Sequence, residues 1–470
     1  MNRRFHHVKD RWRRTPKGIR WLIIAATSIT TLYVVEDLSG RIAWKNYHQA
    51  WEERGVTISL PDPSQINIPQ DEDFWESDVM RKWEAMSPNY DPSLPNLLSG
   101  SYRTTDYVLK AASLEAATLT EFNLPLGKEL EDFLRQAHHE DLALDGLFQT
   151  FADGCKRTRA RSFGDRVPSP GRINDAAKHT CDRVAIHLHN HDPERACRDL
   201  IAFMQFSNHL REQALVGLLV NIAVCGILSD SIWEGLAMQA YDAEQLTELQ
   251  NALNEVRLAR DFAQPAFQEM GGIRDIIDDQ GFRELLMSGT LSPLSRSTSD
   301  PFRHLQDLIL RALDITAPKG RHFNAVIDSF SMWESVTLEN GKVPDELTIE
   351  QSKRLNTWKP GWRSRISFMR AAVPNLGKIG ESTLEAQQIF DFARISCALE
   401  RYHISNKSYP DSLMTLVPVY LSGLPQDRFQ PTLPIRYAKT PNGRYQLHGS
   451  GIDQKDDGGI PGRDLVWRYP

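Results

Sequence analysis

The chain has 470 residues, 41% hydrophobic and 25% charged, a composition that excludes a wholly disordered protein and leaves room for two or three domains. Its formal net charge is −6, yet residues 1–20 hold eight basic side chains and one acidic one. The rest of the chain therefore has 47 basic and 60 acidic residues. So acidic a body lacks the basic surface that nucleic-acid binding requires, and we expect no nucleic-acid partner.

An uncharged apolar run, residues 21–35, follows the basic cluster directly. It is slightly shorter than the ~20 residues of a membrane-spanning helix, and Ile19 with a snorkelling Arg20 can extend it. Because no small-residue cleavage site follows the run, we interpret residues 19–54 as an uncleaved signal anchor and its helical extension. A cleaved signal peptide and a buried helix are the alternatives.

The basic residues before the run predict its orientation, because cytoplasmic flanks are enriched in lysine and arginine. We expect residues 1–18 in the cytoplasm, membrane contact through residues 19–35, and the body of the chain outside, in a periplasm-like compartment. Beyond the span, Trp44, Tyr47 and Trp51 form one aromatic stripe of the same helix. Such a stripe is typical of core or membrane-interface packing.

Residues 55–104 hold six prolines and are predicted to form an extended connector. Residues 105–380 show mainly helical patterns, which predict a body of stacked antiparallel helices. Within it, residues 214–228 are apolar enough to predict a helix buried in the bundle. Asp192-Pro193 has the pattern of an N-cap followed by a first-turn proline, and Asp242 and Gln245 have the spacing of a capping box. No clean repeat period is present, so a solenoid and an irregular bundle both remain open.

The last segment, residues 381–470, begins with a helical pattern and continues into strand-like runs. Phe392, Ile395 and Tyr402 share one helix face. Two short strand-like runs, residues 433–437 and 445–448, flank Asn442-Gly443, a pair that predicts a β-hairpin. The segment is therefore expected to be a small α+β module, and the fold class of the whole chain is mainly α.

This segment resembles the C-terminal half of the major pseudopilin of type II secretion. The matching pieces are the helix end at Tyr402, the turn Tyr409-Pro410, the short helix Leu413 to Leu416, the element Leu424-Pro425-Gln426-Asp427, the hairpin, and the loop from Ser450 to Gly459. The resemblance implies a pseudopilin-like module with a calcium loop. A prepilin cleavage signature is missing and residues 36–390 have no counterpart, so a polymerising pilin is not expected. Asp427-Arg428-Phe429-Gln430 also replaces the Asp-Pro-Trp-Gly of that family.

Most of residues 60–470 also resembles a group of large membrane-anchored proteins of planctomycete and verrucomicrobial bacteria. Their tails contain Ala-Leu-Glu-Arg-Tyr, Tyr-Pro-x-Ser-Leu, Asp-Asp-Gly-Gly and a near-terminal tryptophan. These pieces stand here at residues 398–402, 409–413, 456–459 and 467. The resemblance implies an architecture and no activity.

The acidic loop near the C-terminus is the predicted metal site. Its carboxylates and carbonyls can supply the six to eight oxygens that calcium takes, and its glycines let the backbone close around an ion. By the pseudopilin resemblance, Asp453, Asp457 and Asp464 are the expected ligands, with Asp456 as a substitute. The ion would be structural, and a solvated acidic turn without metal is the alternative.

The histidines and cysteines give weaker signals for a metal or redox site. His187, His189 and His191 invite a transition-metal site, but positions i and i+2 of a helix point about 200° apart, so no shared ion is predicted. The pair His138-His139 gives a weaker signal still. The five cysteines match no zinc or redox spacing, which predicts buried thiols. A bridge among the three at residues 155–197 stays open if that part lies outside the cytoplasm.

No nucleophile elbow, P-loop, dinucleotide glycine fingerprint or His-Glu-x-x-His motif occurs in the sequence. The sequence therefore favours a membrane-anchored, extracytoplasmic binding or scaffold protein, with protein partners in an envelope or secretion-type assembly. An envelope enzyme with a hydrolase-like site in the helical body, and a soluble helical adaptor, are the alternatives.

Overall fold

The computed structural model describes residues 16–55, 145–156, 170–210, 214–260, 262–278, 316–337, 346–357 and 375–468, with residues 58, 73–74, 135, 138–139, 142, 359 and 361. Contacts group the chain into two compact units. Unit 1 combines residues 1–60, 267–343 and 357–375, and unit 2 combines residues 61–266, 344–356 and 376–470. The described residues are mainly helical and include a small antiparallel sheet, as the sequence predicts.

The elements follow one another in a simple order. The helices are α1 (Lys17–Glu52), α2 (Asp145–Cys155), α3 (Pro170–His189), α4 (Pro193–His209), α5 (Ala214–Ala237), α6 (Ala243–Glu255), α7 (Ala263–Asp278), α8 (Lys319–Thr337), α9 (Ile349–Thr357) and α10 (Leu376–Asn406). A 3₁₀ turn (Leu413–Leu416) then precedes strands β1 (Arg436–Lys439), β2 (Tyr445–Gly449) and β3 (Leu465–Arg468).

In unit 1, α1 packs against α8 through a close glycine contact. A Cβ added at Gly40 would lie 1.8 Å from the carbonyl oxygen of Gly320. The two helices are therefore too close at this point to leave room for a side chain at position 40. One turn earlier, Asp37 accepts a hydrogen bond from the Gly320 amide at 2.9 Å. Backbone contact of this kind fixes where the two helices cross.

The two ends of α1 lie in different surroundings. Trp44 and Trp51 of the predicted stripe are buried in unit 1, against Phe323 and Phe267 respectively. The most apolar 18-residue window of the same helix is not buried at all. The helix ends at Glu52, within two residues of the predicted end at residue 54, and Gly55 follows with φ 77°.

Unit 2 is organised around α5, which packs against α3, α4 and α10. Helix α6 packs against α4 and α10. The predicted buried helix at 214–228 is confirmed as the first part of α5. By length and composition both α1 and the stretch Leu215–Ala237 of α5 could cross a membrane, but the apolar window of α5 is 67% buried, as in a core helix.

The predicted capping box begins α6. The Asp242 carboxylate accepts hydrogen bonds from the amides of Glu244 at 2.9 Å and Gln245 at 2.8 Å. In return, the Gln245 side chain accepts from the Asp242 amide at 3.0 Å. Leu246 and Leu249, which follow on the predicted stripe, are buried.

The tail of unit 2 is a three-stranded antiparallel sheet in the order β1-β2-β3. Leu447 of β2 pairs with Tyr437 on one side and with Trp467 on the other. The predicted hairpin is confirmed, with β1 beginning at Arg436 rather than at residue 433. The third strand was not predicted.

The sheet is joined to the helices within the same unit. Trp233 of α5 donates its indole N–H to the carbonyl of Arg468 at 3.0 Å, and Gln250 of α6 donates to the carbonyl of Tyr420 at 2.8 Å. The finer description of the body as stacked antiparallel pairs stays a prediction. The predicted bounds 55–104, 105–380 and 381–470 also stay predictions. Most of the connector, residues 55–104, lies outside the described residues.

All five cysteines are described, buried and unbridged. Burial raises the pKa of Cys197 to about 12, so its thiol is protonated and unreactive near neutral pH. This confirms the expectation of buried thiols.

Candidate metal centres

Asp464 closes the predicted calcium loop by accepting hydrogen bonds from the loop backbone. Its buried carboxylate accepts from the amides of Asp457 at 3.1 Å, Gly459 at 2.7 Å and Ile460 at 3.3 Å. Gly458 and Gly459 take φ of 80° and 78°, a region that favours glycine, and this lets the amides turn inward. The loop is therefore a nest of N–H donors around one carboxylate.

Asp456 is paired with two side chains of the sheet. Its carboxylate lies 3.0 Å from Arg436 Nε and 3.3 Å from His448 Nε2. The hydrogen bond from the Gly458 amide and the charge of Arg436 hold the pKa of Asp456 below its usual value. This carboxylate already has a cationic partner within the protein, Arg436.

The remaining two predicted ligands have local partners as well. Asp453 accepts a hydrogen bond from the Lys455 amide at 3.1 Å, and Asp457 lies 3.6 Å from the Arg463 guanidinium. Among the described residues, the tail aspartates do not form a group of three whose ligand atoms lie within 4.8 Å of one another. Carboxylate oxygens suit calcium, but in this structure those of the four aspartates accept hydrogen bonds from protein groups or pair with them. Calcium binding therefore stays a prediction.

Asp427 is a second buried carboxylate that organises the tail. It accepts from the amides of Phe429 at 2.9 Å and Ser450 at 2.8 Å, and it pairs with Arg436. One side chain thus joins the turn after residue 427, strand β1 and the start of the acidic loop. From the sequence, Asp427 stands out only as part of the pseudopilin resemblance, as the end of the matching element Leu424-Pro425-Gln426-Asp427 and the start of the departing motif.

A second candidate centre begins at the turn that ends α3. The Asp192 amide donates to the His187 carbonyl at 2.9 Å, and the His191 amide donates to the Leu188 carbonyl at 3.1 Å. His191 has φ 59°. This is the Schellman pattern of helix ends, which brings the residue after the left-handed position back to the last turn of the helix. Asp192 therefore returns to the side of His187.

The histidines of this segment diverge, as predicted. His189 Nε2 lies 3.2 Å from Glu234 of α5. His187 is fully buried on another side, with its Nε2 3.4 Å from Arg183 and 3.7 Å from Asp199. Within the part of the chain that the structure describes, the three histidines at i and i+2 spacing do not come together as one group of potential ligands.

His138, which is distant in sequence, joins His187 and Asp192. Each of the three offers one ligand atom, and these atoms all lie within 4.8 Å of one another. The two imidazole rings meet edge to face, with centroids 5.3 Å apart and planes at 88°. Nδ1 of His138 is buried and has no hydrogen-bond partner among the described residues. Two imidazoles and a carboxylate suit a transition-metal ion.

Buried charge surrounds His187. Arg183 is 1% exposed and donates to Asp199 from Nε at 3.1 Å and from Nη2 at 3.0 Å. Its guanidinium also lies 3.4 Å from the ring centroid of Phe148. Burial, and then the charge of Arg183, lower the pKa of His187 to about 3. The ring is therefore neutral near pH 7, the state in which imidazole binds metals.

A further set of ion pairs joins α2 to α4. Asp145 of α2 lies 2.6 Å from Arg198 and 3.1 Å from Arg195, both on α4. Partial burial alone would raise the pKa of Asp145, but the hydrogen bonds from Arg198 and Arg195 lower it to about 2. These pairs hold α2 and α4 together through charge-assisted hydrogen bonds.

Sequence reasoning missed this group. His138 stands about 50 residues before His187, so no spacing rule links them. Asp192 was recognised as the cap of α4, a role that it has, since it accepts from the Arg195 amide at 3.3 Å. The sequence signal that could have indicated this group is that the N-cap Asp192 directly follows a helix that ends in histidines.

The helical body also holds a small surface cavity of about 190 Å³. It is lined by Gly235, Leu236, Gln239, Tyr241, Leu246, Glu400, His403, Ile404 and Lys407. At one side, the hydroxyl of Tyr409 donates to the carboxylate of Glu400 at 3.0 Å. Burial, and then the charge of Glu400, raise the pKa of Tyr409, so this hydroxyl stays a donor. The cavity is smaller than a typical ligand pocket.

Comparisons with protein families, with curated proteins and with solved structures found no match to this chain.

Proposed function

We propose that this chain is a single-pass membrane protein whose extracytoplasmic, mainly helical body binds a protein partner as a scaffold in a cell-envelope assembly. The observation that carries the proposal is the exposed apolar half of α1. Trp21, Leu22, Ile29 and Leu32 are each between 67% and 71% exposed. Burying such surface is favourable by about 25 cal/mol per Å², so this half of the helix is stable in hydrocarbon rather than in water.

Polar side chains within this half are satisfied by the helix itself. The hydroxyls of Thr27, Thr30 and Thr31 donate to the carbonyl four residues earlier, at 2.7, 2.9 and 2.8 Å. A membrane offers no water to pair with a hydroxyl, so internal hydrogen bonds of this kind are what a lipid-facing helix needs. They support an apolar environment for residues 19–35.

Length and charge support the same arrangement. At 1.5 Å per residue, residues 19–35 rise about 25 Å, close to the ~30 Å hydrocarbon core of a bilayer. The basic residues before the run favour a cytoplasmic N-terminus. Because α1 continues without a break into the core of unit 1, an anchored α1 would tie that unit to the membrane surface.

Fractionation of cells that produce the full chain tests the anchor. We expect the chain in the membrane pellet after an alkaline carbonate wash, release only by detergent, and peptides of residues 17–35 in the recovered protein. A soluble chain that lacks those residues would indicate a cleaved signal peptide. A soluble full-length chain would support the adaptor alternative.

The scaffold part of the proposal is supported by exposed apolar side chains on the tail and by the small volume of the cavity. Met414 is 65% exposed and Val419 is 74% exposed. A photoreactive amino acid at Val419 should crosslink a protein partner in intact membranes, whereas the same group at the exposed Lys455 should not. Deletion of residues 391–470 is uninformative, since it removes buried residues such as Ile395 from the core of unit 2.

The envelope-enzyme alternative gains one observation, the convergence of His138, His187 and Asp192. Metal-dependent hydrolysis by the purified full chain, abolished by a chelator and restored by zinc, would favour it over the scaffold. Turnover that is unaffected by the chelator would show that this group is not the source of the activity.

Structural calcium in the tail is the cofactor that the pseudopilin resemblance supports. If it binds, calcium should raise the melting temperature of the full chain, and Asp453→Ala or Asp457→Ala should remove that rise. An unchanged melting temperature would mean that the nest around Asp464 supports the loop without an ion.

A further inference from the structure

We infer that His138, His187 and Asp192 form a binding site for a divalent transition-metal ion of the zinc class. Their ligand atoms lie within 4.8 Å of one another, whereas the ligand atoms of a tetrahedral zinc site are about 3.3 Å apart. Small side-chain rotations close that difference. Two imidazoles and one carboxylate leave a fourth position, which water takes in zinc sites of this composition.

The backbone places two of the three ligands before any ion arrives. The Schellman turn with His191 at φ 59° fixes Asp192 beside His187. The Asp192 carboxylate is held by the amide of Arg195 at 3.3 Å and by its guanidinium at 2.5 Å. A carboxylate has about four lone-pair positions, so it can keep these two donors and still bind an ion.

The surroundings of His187 determine which of its nitrogens would bind. Its Nε2 faces Arg183 at 3.4 Å and Asp199 at 3.7 Å, so Nδ1 is the nitrogen on the side of a ligand site. Once Nδ1 binds an ion, Nε2 carries the proton. Asp199 lies 3.7 Å away, so a hydrogen bond to its carboxylate forms only if the ring moves closer to Asp199 and away from the Arg183 guanidinium. A carboxylate behind a ligating histidine is the usual support of such sites.

Donor chemistry selects the class of ion. Two imidazole nitrogens favour zinc, copper or nickel over calcium and magnesium, which prefer oxygen. An ion would also give the buried Nδ1 of His138 the partner that it lacks among the described residues. The site differs from the tail loop in place, in ligands and in the metal that it takes.

Zinc binding by the full chain in detergent, after metal removal with a chelator, tests the inference. We expect one zinc per chain with submicromolar affinity in competition with a chromophoric chelator. Cobalt should give the visible absorption bands of a tetrahedral nitrogen and oxygen site. His138→Ala should weaken binding by about 100-fold, and Asp199→Asn, behind the ligand, by about 10-fold.

His139→Ala is the matched control, because His139 is the exposed neighbour of His138. It should bind zinc as the unchanged chain does. If His138→Ala fails to fold, Asp192→Asn replaces it, since asparagine keeps the cap of α4 and removes the charge. Absence of stoichiometric binding, or equal affinity in the His138→Ala and His139→Ala variants, would overturn the inference.

Discussion

At the scale of single residues, buried carboxylates shape this protein more than any predicted motif does. Asp464 accepts hydrogen bonds from three backbone amides. Asp427 accepts from two amides and forms an ion pair with Arg436. The half-buried Asp145 likewise joins two helices through Arg195 and Arg198. Removal of one partner leaves buried donors unsatisfied, which costs more than the hydrogen bond contributes.

Asp464→Ala should lower the free energy of unfolding of the chain by about 3 kcal/mol, because three inward-facing amides lose their acceptor. Asp453→Ala is the control, since Asp453 is exposed and accepts one amide; its effect should be below about 1 kcal/mol. Both are measured by urea unfolding in calcium-free buffer. Equal effects of the two substitutions would contradict the role assigned to Asp464.

Asp145 predicts a pH dependence of stability. Its folded pKa of about 2 lies below the ordinary 3.8, so the unfolded chain binds the proton more readily between these values. The contribution of Asp145 is therefore present above about pH 4 and is lost as the pH falls towards 2. Asp145→Asn should cost about 2 kcal/mol at neutral pH and flatten the decline in urea midpoint across that window.

Asp153→Asn is the matched control for this measurement. Asp153 lies on the same helix, is exposed and pairs with the exposed Lys156 at 2.9 Å, so its loss should change stability by less than about 1 kcal/mol. The assignment fails if the Asp145→Asn variant shows the same decline between pH 4 and pH 2 as the unchanged chain.

At the scale of elements, the signals that the sequence carries are local. The capping box at Asp242, the cap at Asp192 and the turn at Asn442-Gly443 each depend on residues within a few positions, and each is observed. Strand β3 was missed because, unlike the equally short β1, it has no Asn-Gly turn beside it to signal a hairpin. The group at His138, His187 and Asp192 was missed because it depends on long-range packing and on a left-handed residue.

The left-handed residue gives a prediction at this scale. Because His191 takes φ 59°, His191→Gly should leave the melting temperature unchanged or raise it. His191→Val should lower stability by about 1–2 kcal/mol, since a β-branched side chain is strained in this region. Thermal unfolding of the two variants measures the difference. A valine variant as stable as the glycine variant would show that the Schellman turn is not retained.

The crossing of α1 and α8 gives a second prediction. Gly40→Ala forces the helices apart, because its Cβ would meet the Gly320 carbonyl, and should destabilise unit 1 by about 1–3 kcal/mol. Gly18→Ala on the same helix meets nothing within 4 Å and should have no such cost. Hydrogen exchange of α8 amides compares the two, and equal protection in both variants would argue against the close crossing.

At the scale of the whole molecule, one helix has two kinds of surroundings. The part of α1 around Trp44 and Trp51 is buried by protein, whereas the part around Ile29 is not buried. Sequence alone predicted both parts, because an apolar run beside a basic cluster and an aromatic stripe are each readable locally. What binds the body stays a proposal, since partner surfaces leave no comparable pattern.

The measurement that tests the central claim most directly is membrane extraction of two charge variants of α1. Ile29→Arg with Leu32→Arg places two charges inside the proposed span, and each should cost about 3 kcal/mol of insertion. Leu38→Arg with Ile42→Arg places two charges on exposed apolar positions beyond it, which are 54% and 59% exposed. We predict that the first pair releases the chain from carbonate-washed membranes and that the second does not. Retention of both variants, or release of both, would contradict a membrane anchor at residues 19–35.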